Sequence, residues 1–171
     1  MSAMSKVVSD ALNGQIKAEF DSAHLYLAMT AYCDTANYPG AAHWLRQQWR
    51  EELAHATKLM DHVIGRGGTV VLEAVKKPPA KFGSLQQVFE KVLEHEQEVT
   101  GLIHKLYEVS VKQKDYATQT LLQWFIDEQV EEEKSAADLV SMLQLAGEDG
   151  TGLLMVDRHL AERAAPESAT A

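Results

Sequence analysis

The sequence predicts an all-α protein: a four-helix bundle with one long crossover and a short fifth helix at its C-terminal end. Three observations carry this reading. The four prolines stand at positions 39, 78, 79 and 166, so long stretches run without a helix breaker. Those stretches are rich in Ala, Leu, Glu, Gln and Lys and nearly free of glycine. Their apolar residues recur at helical spacing.

The first helix is expected from about Ser5 to about Asn37, ending at the turn Asn37-Tyr38-Pro39-Gly40. The second runs from about Ala41 to Ile64 and is closed by Gly65, Gly67 and Gly68. The segment Thr69 to Gly83 holds Thr-Val-Val-Leu, several lysines and Pro78-Pro79, and reads as an extended connection. A loop of that length is explained if it joins two bundle helices that point the same way. Ser84 opens the third helix, with Gln87 as its capping-box partner, and the helix reaches about Lys112. Asp115 is the expected N-cap of the fourth, which ends near Gly147. Leu153 to about Ala164 forms the short fifth helix. One domain, residues 5–164, is expected, with a disordered tail over 165–171.

Composition narrows the function. The chain has 171 residues, of which 46% are hydrophobic and 24% charged, as in a soluble globular domain. Its net charge of −9 argues against a broad nucleic-acid surface and is compatible with binding cations. No apolar run approaches the ~20 residues of a membrane span. The N-terminus lacks a signal-peptide pattern, and the single cysteine, Cys33, excludes an intramolecular disulfide framework or an all-cysteine metal site within one chain. A reduced, cytoplasmic protein is the expectation.

The chemistry lies where acidic residues break the apolar stripes. Leu12, Ile16, Ala23, Leu27 and Thr30 mark the first stripe, and Glu19 falls about 20° from its centre. The second, through Leu45, Trp49, Ala56, Leu59 and Val63, contains Glu52, with His55 at its edge one turn on. The third, Leu85, Val88, Val92, Val99, Ile103 and Leu106, has Glu96 in its middle. The fourth, Leu121, Phe125, Ala136, Leu139 and Leu143, carries Gln129 and Glu132. One unpaired buried carboxylate costs several kcal/mol, and four together repel. Protonation would relieve this; a pair of metal ions is the simpler solution, and carboxylates with one histidine suit iron or manganese better than zinc. A lone Glu-x-x-His is commonly solvated helix surface; the conjunction on four helices is the signal. Glu51, Glu128 and Glu131 lie beside the stripes as an acidic flank, which a plain charged face explains nearly as well. Glu133 reads as surface, His95 as a neighbour of the site or polar surface, Met29, Met60 and Met142 as core. Tyr26 lies two turns after Glu19 on the same side.

These residues resemble the ferritin family, specifically the bacterial non-haem ferritins. The likeness runs from about Ser5 to Leu160. It includes Gln15-Ile16-Lys17-Ala18-Glu19, Leu25-Tyr26, Arg50-Glu51-Glu52-Leu53-Ala54-His55, Leu122 through Lys134, and Leu145-Ala146-Gly147. The resemblance implies a ferritin-like diiron bundle with ferroxidase activity. Glu19, Glu52 and His55 would hold the first iron. Glu52 would bridge to a second iron held by Glu96 and Glu132, with Gln129 close by. Glu51, Glu128 and Glu131 would form a third iron site, and Tyr26 would stand beside the diiron pair. O₂ or H₂O₂ would be the oxidant. Ferric mineral would collect inside a homo-oligomeric shell of twenty-four subunits, with the fifth helix lining its fourfold axis.

Departures from related patterns sharpen this. A symmetrical diiron protein would carry a second Glu-x-x-His where this chain has Gln129 and Glu132. The second iron should therefore bind more loosely, favouring passage over permanent residence. Leu53 follows Glu52 where haem-binding relatives have methionine, so no haem is expected. The rival readings are an enzyme with permanent iron, a smaller DNA-binding relative, and a metal-free scaffold.

Overall fold

The structure, a computed structural model, describes residues 4–165. Among these it contains five α-helices and no strand: α1 Lys6–Thr35, α2 Pro39–Gly65, α3 Leu85–Lys112, α4 Tyr116–Ala146 and α5 Gly150–Leu160. The boundaries follow local chemistry. Ser5 caps α1 by accepting from Val8 N, and Ser84 and Gln87 form both halves of the expected capping box on α3. Asp115 caps α4 through Thr118 N, and Gly147, at φ 57°, ends it. Pro39 lies inside α2 as its first residue, where a missing N–H costs nothing. The fifth helix starts at Gly150 rather than Leu153, because Asp149 supplies the cap by accepting from Gly152 N.

Two apolar cores give the helix directions. One joins Tyr26, Met29 and Cys33 of α1 to Ala41 and Leu45 of α2, Leu85, Phe89 and Val92 of α3, Ala136 and Leu143 of α4, and Val156 and Leu160 of α5. The other joins Val8, Leu12 and Ile16 to Leu59 and Val63, Val99 and Ile103, and Leu122 and Phe125. Thus α2 and α3 both run from the first core to the second, while α1 and α4 run back. The two parallel helices require the long connection over residues 66–84. That connection is pinned along α1. Asn13 donates to Thr69 O (3.0 Å) and accepts from Val71 N (2.7 Å). Asp21 accepts from Lys76 N (2.7 Å), and Tyr32 donates to Gly83 O (2.7 Å).

Helix α5 is locked to α2 by one carboxylate. Asp157 is buried and accepts from Gly40 N (3.1 Å) and Ala41 N (2.8 Å), satisfying orphan donors of the α2 N-terminus. The approach is so close that a Cβ on Gly40 would stand 1.7 Å from Asp157 O.

Five core expectations are corrected, Trp49 and Met60 being only partly buried. Leu27 and Met142 are 40% and 39% exposed, and Leu121 is only partly buried while Leu122 is wholly buried. In α1 the buried face is centred near Glu19 and Tyr26, which leaves Leu27 at its edge; α4 is likewise centred on Leu122, Gln129 and Ala136. The expected tail lies outside the described residues from position 166 onward.

Candidate metal centre

Between the two apolar cores lies a polar layer, and each long helix supplies it where its own segment passes from one core to the other. Glu19, Glu52, Glu96, Glu132, His55 and Gln129 are all buried, as is Tyr26. Glu19, Glu52 and His55 each offer a ligand atom within 4.8 Å of the others. His55 Nδ1 stands 3.7 Å from Glu52 Oε2. Trp124 and Phe125 meet the His55 ring edge-on, at centroid distances of 5.4 and 5.6 Å, so packing fixes its orientation.

Amides hold the carboxylates in place. Gln15 Nε2 donates to Glu19 Oε1 (2.8 Å), and Gln48 Nε2 donates to Glu132 Oε2 (2.9 Å). Gln129 Nε2 lies 3.2 Å from Glu96 Oε2 and 3.2 Å from the Glu96 carbonyl. The Tyr26 hydroxyl donates to Glu96 Oε1. Yet Glu19 Oε2 and Glu52 Oε2 are buried with no hydrogen-bond partner among the described residues. Buried carboxylate oxygens with no donor from another side chain or the backbone are costly, and both belong to the Glu19–Glu52–His55 cluster, whose donor set fits cation ligation.

The electrostatics agree. Burial, then the neighbouring Glu52 charge, pushes the Glu19 carboxyl well above its usual range. Burial followed by the Glu96 charge does the same for Glu52, and lifts Glu132 to about 8. The raised values favour the protonated forms of Glu19, Glu52 and Glu132, and a bound cation would displace those protons. Burial, then Glu96 and Glu52, raises the Tyr26 phenol, so it remains a donor.

The flank is less gathered. Glu51 and Glu128 are half-buried and Glu131 is exposed. Glu51 accepts from Arg163 Nη2 at 2.5 Å. Burial raises the Glu51 carboxyl, with Arg163 opposing. Glu133, read as surface, is half-buried and accepts from Thr100 Oγ1 at 2.5 Å. His95 is tied inward. Its Nε2 is 2.9 Å from Ser22 Oγ, whose one proton goes to Ala18 O, so His95 donates. Its ring meets Tyr26 edge-on at 5.8 Å. Asp115 spends its carboxylate on Arg66 (2.8 and 3.1 Å) and on the α4 cap.

Sequence reasoning missed Gln15, Gln48 and Arg163. The two glutamines stand four residues before Glu19 and Glu52, a spacing that places them on the same helix faces. Arg163 contacts Glu51 across 112 positions, and no local pattern reports that.

Fold and site together define a class: a four-helix bundle whose interior carries a buried layer of carboxylates drawn from all four long helices, with a Glu19–Glu52–His55 cluster able to hold a metal ion. Comparison with known proteins agrees. The family model for the ferritin-like domain matches residues 9–146. A bacterial non-heme ferritin of Staphylococcus saprophyticus is 39% identical over 165 residues, covering 96% of this chain and 99% of that protein. One from Staphylococcus aureus is 39% identical over 160 residues, covering 94% and 96%. Among solved structures, an open-pore ferritin from the hyperthermophilic archaeon Archaeoglobus fulgidus superposes with a TM-score of 0.94 at 48% identity, covering 95% of this chain and all of that one. A closed form of the same ferritin, engineered by mutagenesis, gives 0.94 at 48%, covering 96% and 100%. The chain belongs to the ferritin family, and iron storage is the role this membership supports.

Proposed function

We propose that this chain oxidises Fe(II) at the intra-bundle centre and deposits the Fe(III) as oxyhydroxide mineral inside a shell of twenty-four copies. The observation that supports the reading is the buried layer itself, where Glu19, Glu52 and His55 bring one ligand atom each within 4.8 Å of the others and Glu19 Oε2 and Glu52 Oε2 meet no donor among the described residues. Glu19, Glu52 and His55 hold one Fe(II). Glu52 bridges to a second, held by Glu96 and Glu132. Two adjacent Fe(II) ions each give up one electron, so O₂ or H₂O₂ gains two electrons from one site. Hydrolysis of Fe(III) then releases protons.

The protein contributes position and charge. Gln15 and Gln48 orient Glu19 and Glu132, and Trp124 and Phe125 fix His55. Gln129 offers only an amide oxygen where a histidine would bind more firmly, which suits iron in transit. Tyr26, protonated, donates to Glu96 and keeps that carboxylate oriented. Glu51, Glu128 and Glu131 form a flank for a third iron. Leu53 beside Glu52 gives no thioether for haem.

Assembly has support in exposed apolar side chains. Leu154 and Met155 on α5, with Leu145 nearby, are more than half exposed, as are Val71 and Leu72 on the crossover. Burial between copies would remove them from water. Among the described residues no helix is long and apolar enough to cross a membrane. Cys33 is buried, and burial pushes its thiol up to about 12, so the thiol is unreactive.

The test is anaerobic Fe(II) addition followed by O₂, monitored by ultraviolet absorbance, on wild type and Glu52→Ala. Rapid oxidation beyond two irons per chain, lost in the variant, is expected. Oxidation that stops at two retained irons would instead indicate a permanent cofactor. Identical behaviour of the two proteins would remove the proposed centre.

A further inference from the structure

Glu51, beside the centre, already holds a cation, and that cation belongs to the protein. Arg163 lies three residues beyond the end of α5, yet its side chain reaches back to α2. Its Nη2 donates to Glu51 Oε2 at 2.5 Å. Its guanidinium carbon stands 4.2 Å over the Trp44 ring, two turns before Glu51 on the same face of α2. Its carbonyl oxygen lies 2.9 Å from His43 Nε2; a carbonyl only accepts, so His43 donates. Side chain and backbone of this segment are thus both fastened to one wall of the bundle. The Arg163 side chain is 21% exposed. Its other terminal nitrogen, Nη1, is buried without an acceptor among the described residues. The ground is acidic: Glu51 feels the charge of Glu128, and Glu132 feels both Glu51 and Arg163.

We propose that Arg163 is a tethered occupant of the flank site: its guanidinium takes the Glu51 carboxylate that a third metal ion needs, so a divalent cation binds there only by displacing it. The proposal rests on the reading of Glu51, Glu128 and Glu131 as a flank metal site. A guanidinium keeps its charge at any physiological pH, and it cannot share one carboxylate with a divalent cation without strong repulsion. The tether makes the competition intramolecular, so Arg163 acts at high effective concentration. The same contacts couple the flank to α5. Asp157 docks that helix on the α2 N-terminus, and Arg163 extends the docking to Glu51. Whatever lifts the C-terminal segment off α2 therefore opens the third site.

The test is Zn(II) titration of the metal-free assembled protein by calorimetry, with assembly checked by size-exclusion chromatography. Zn(II) is redox-inert, so the count does not depend on oxidation. Arg163→Gln removes the charge and keeps the backbone bond to His43. It is expected to bind one more Zn(II) per chain than wild type, or to bind the third equivalent at least tenfold more tightly. Arg163→Lys keeps a cation and is expected to stay at the wild-type count. Glu51→Gln added to Arg163→Gln is expected to abolish the gain. Sites elsewhere on the surface contribute equally to all variants and cancel. Equal counts and affinities in wild type and Arg163→Gln would overturn the proposal. So would an equal gain in Arg163→Lys and Arg163→Gln, because packing rather than charge would then set the count. A gain that survives Glu51→Gln would overturn it as well. Glu52→Ala reports separately on the centre: if it leaves the first two equivalents intact, the reading of the centre fails while the Arg163 comparison still stands.

Discussion

Removing the carboxyl group of Glu132 should change how the metal-free protein responds to pH. Burial and the neighbouring Glu96 charge lift this group from an ordinary 4.5 to about 8. Between those values the folded chain binds a proton that the unfolded chain does not. Folding stability must therefore fall as pH rises through that window, and the loss is complete above the folded value. For a single site with these two constants, linkage gives a loss of about 3.5 kcal/mol per chain between pH 5 and pH 8, as an upper bound. Glu19 and Glu52 are raised too and add in the same direction. His62 and His95 are lowered, chiefly by burial, so they oppose the trend below about pH 6.5. The difference between wild type and Glu132→Gln cancels those histidines. Denaturant unfolding of the metal-free proteins at pH 5, 6.5 and 8 measures it. The variant should gain on wild type by a few kcal/mol as pH rises. Loading with Zn(II) should flatten the wild-type slope, since the metal replaces the protons. A constant difference across the pH range would refute the reasoning.

Other perturbations have equally definite outcomes. Tyr26→Phe removes the donor to Glu96; it should cost about 1–2 kcal/mol in the metal-free protein, leave the Fe(II) count unchanged, and slow oxidation several-fold in stopped-flow absorbance. Gln129→His adds a nitrogen ligand to the weaker side of the centre; more iron should survive chelator treatment, and core growth, followed by ultraviolet absorbance, should slow. Gly40→Ala places a methyl group 1.7 Å from Asp157 O, so α5 must move. A loss of about 2–3 kcal/mol is expected in unfolding experiments, with a weakened shell by size-exclusion chromatography.

Most of the fold was legible because it follows from local chemistry. The Ser84–Gln87 box, the Asp115 cap and the Gly147 stop lie within a turn of what they control. The four carboxylates were legible because each breaks its own helix's period, which needs no knowledge of the other helices. What stayed hidden is what depends on the partner across the gap. Leu27 fits an averaged wheel but falls at the edge of the face that α1 presents, since Tyr26 and Glu19 set its centre. Asp157, within α5, and Arg163, just after it, act on Gly40 and Glu51 from more than a hundred residues away, through a helix whose docking no periodicity encodes. Gln48 could be placed on the Glu52 face, but its hydrogen bond goes to Glu132 on another helix.

If Glu19, Glu52, His55, Glu96 and Glu132 hold metal between the two apolar cores, iron must be found there. Anomalous diffraction at the iron edge, from crystals soaked anaerobically in Fe(II), tests it most directly. Two peaks inside the bundle are predicted: one among Glu19, Glu52 and His55, and one between Glu52, Glu96 and Glu132. An empty polar layer in crystals that bind iron elsewhere would contradict the account and leave protonated carboxyls as the reason this layer is tolerated.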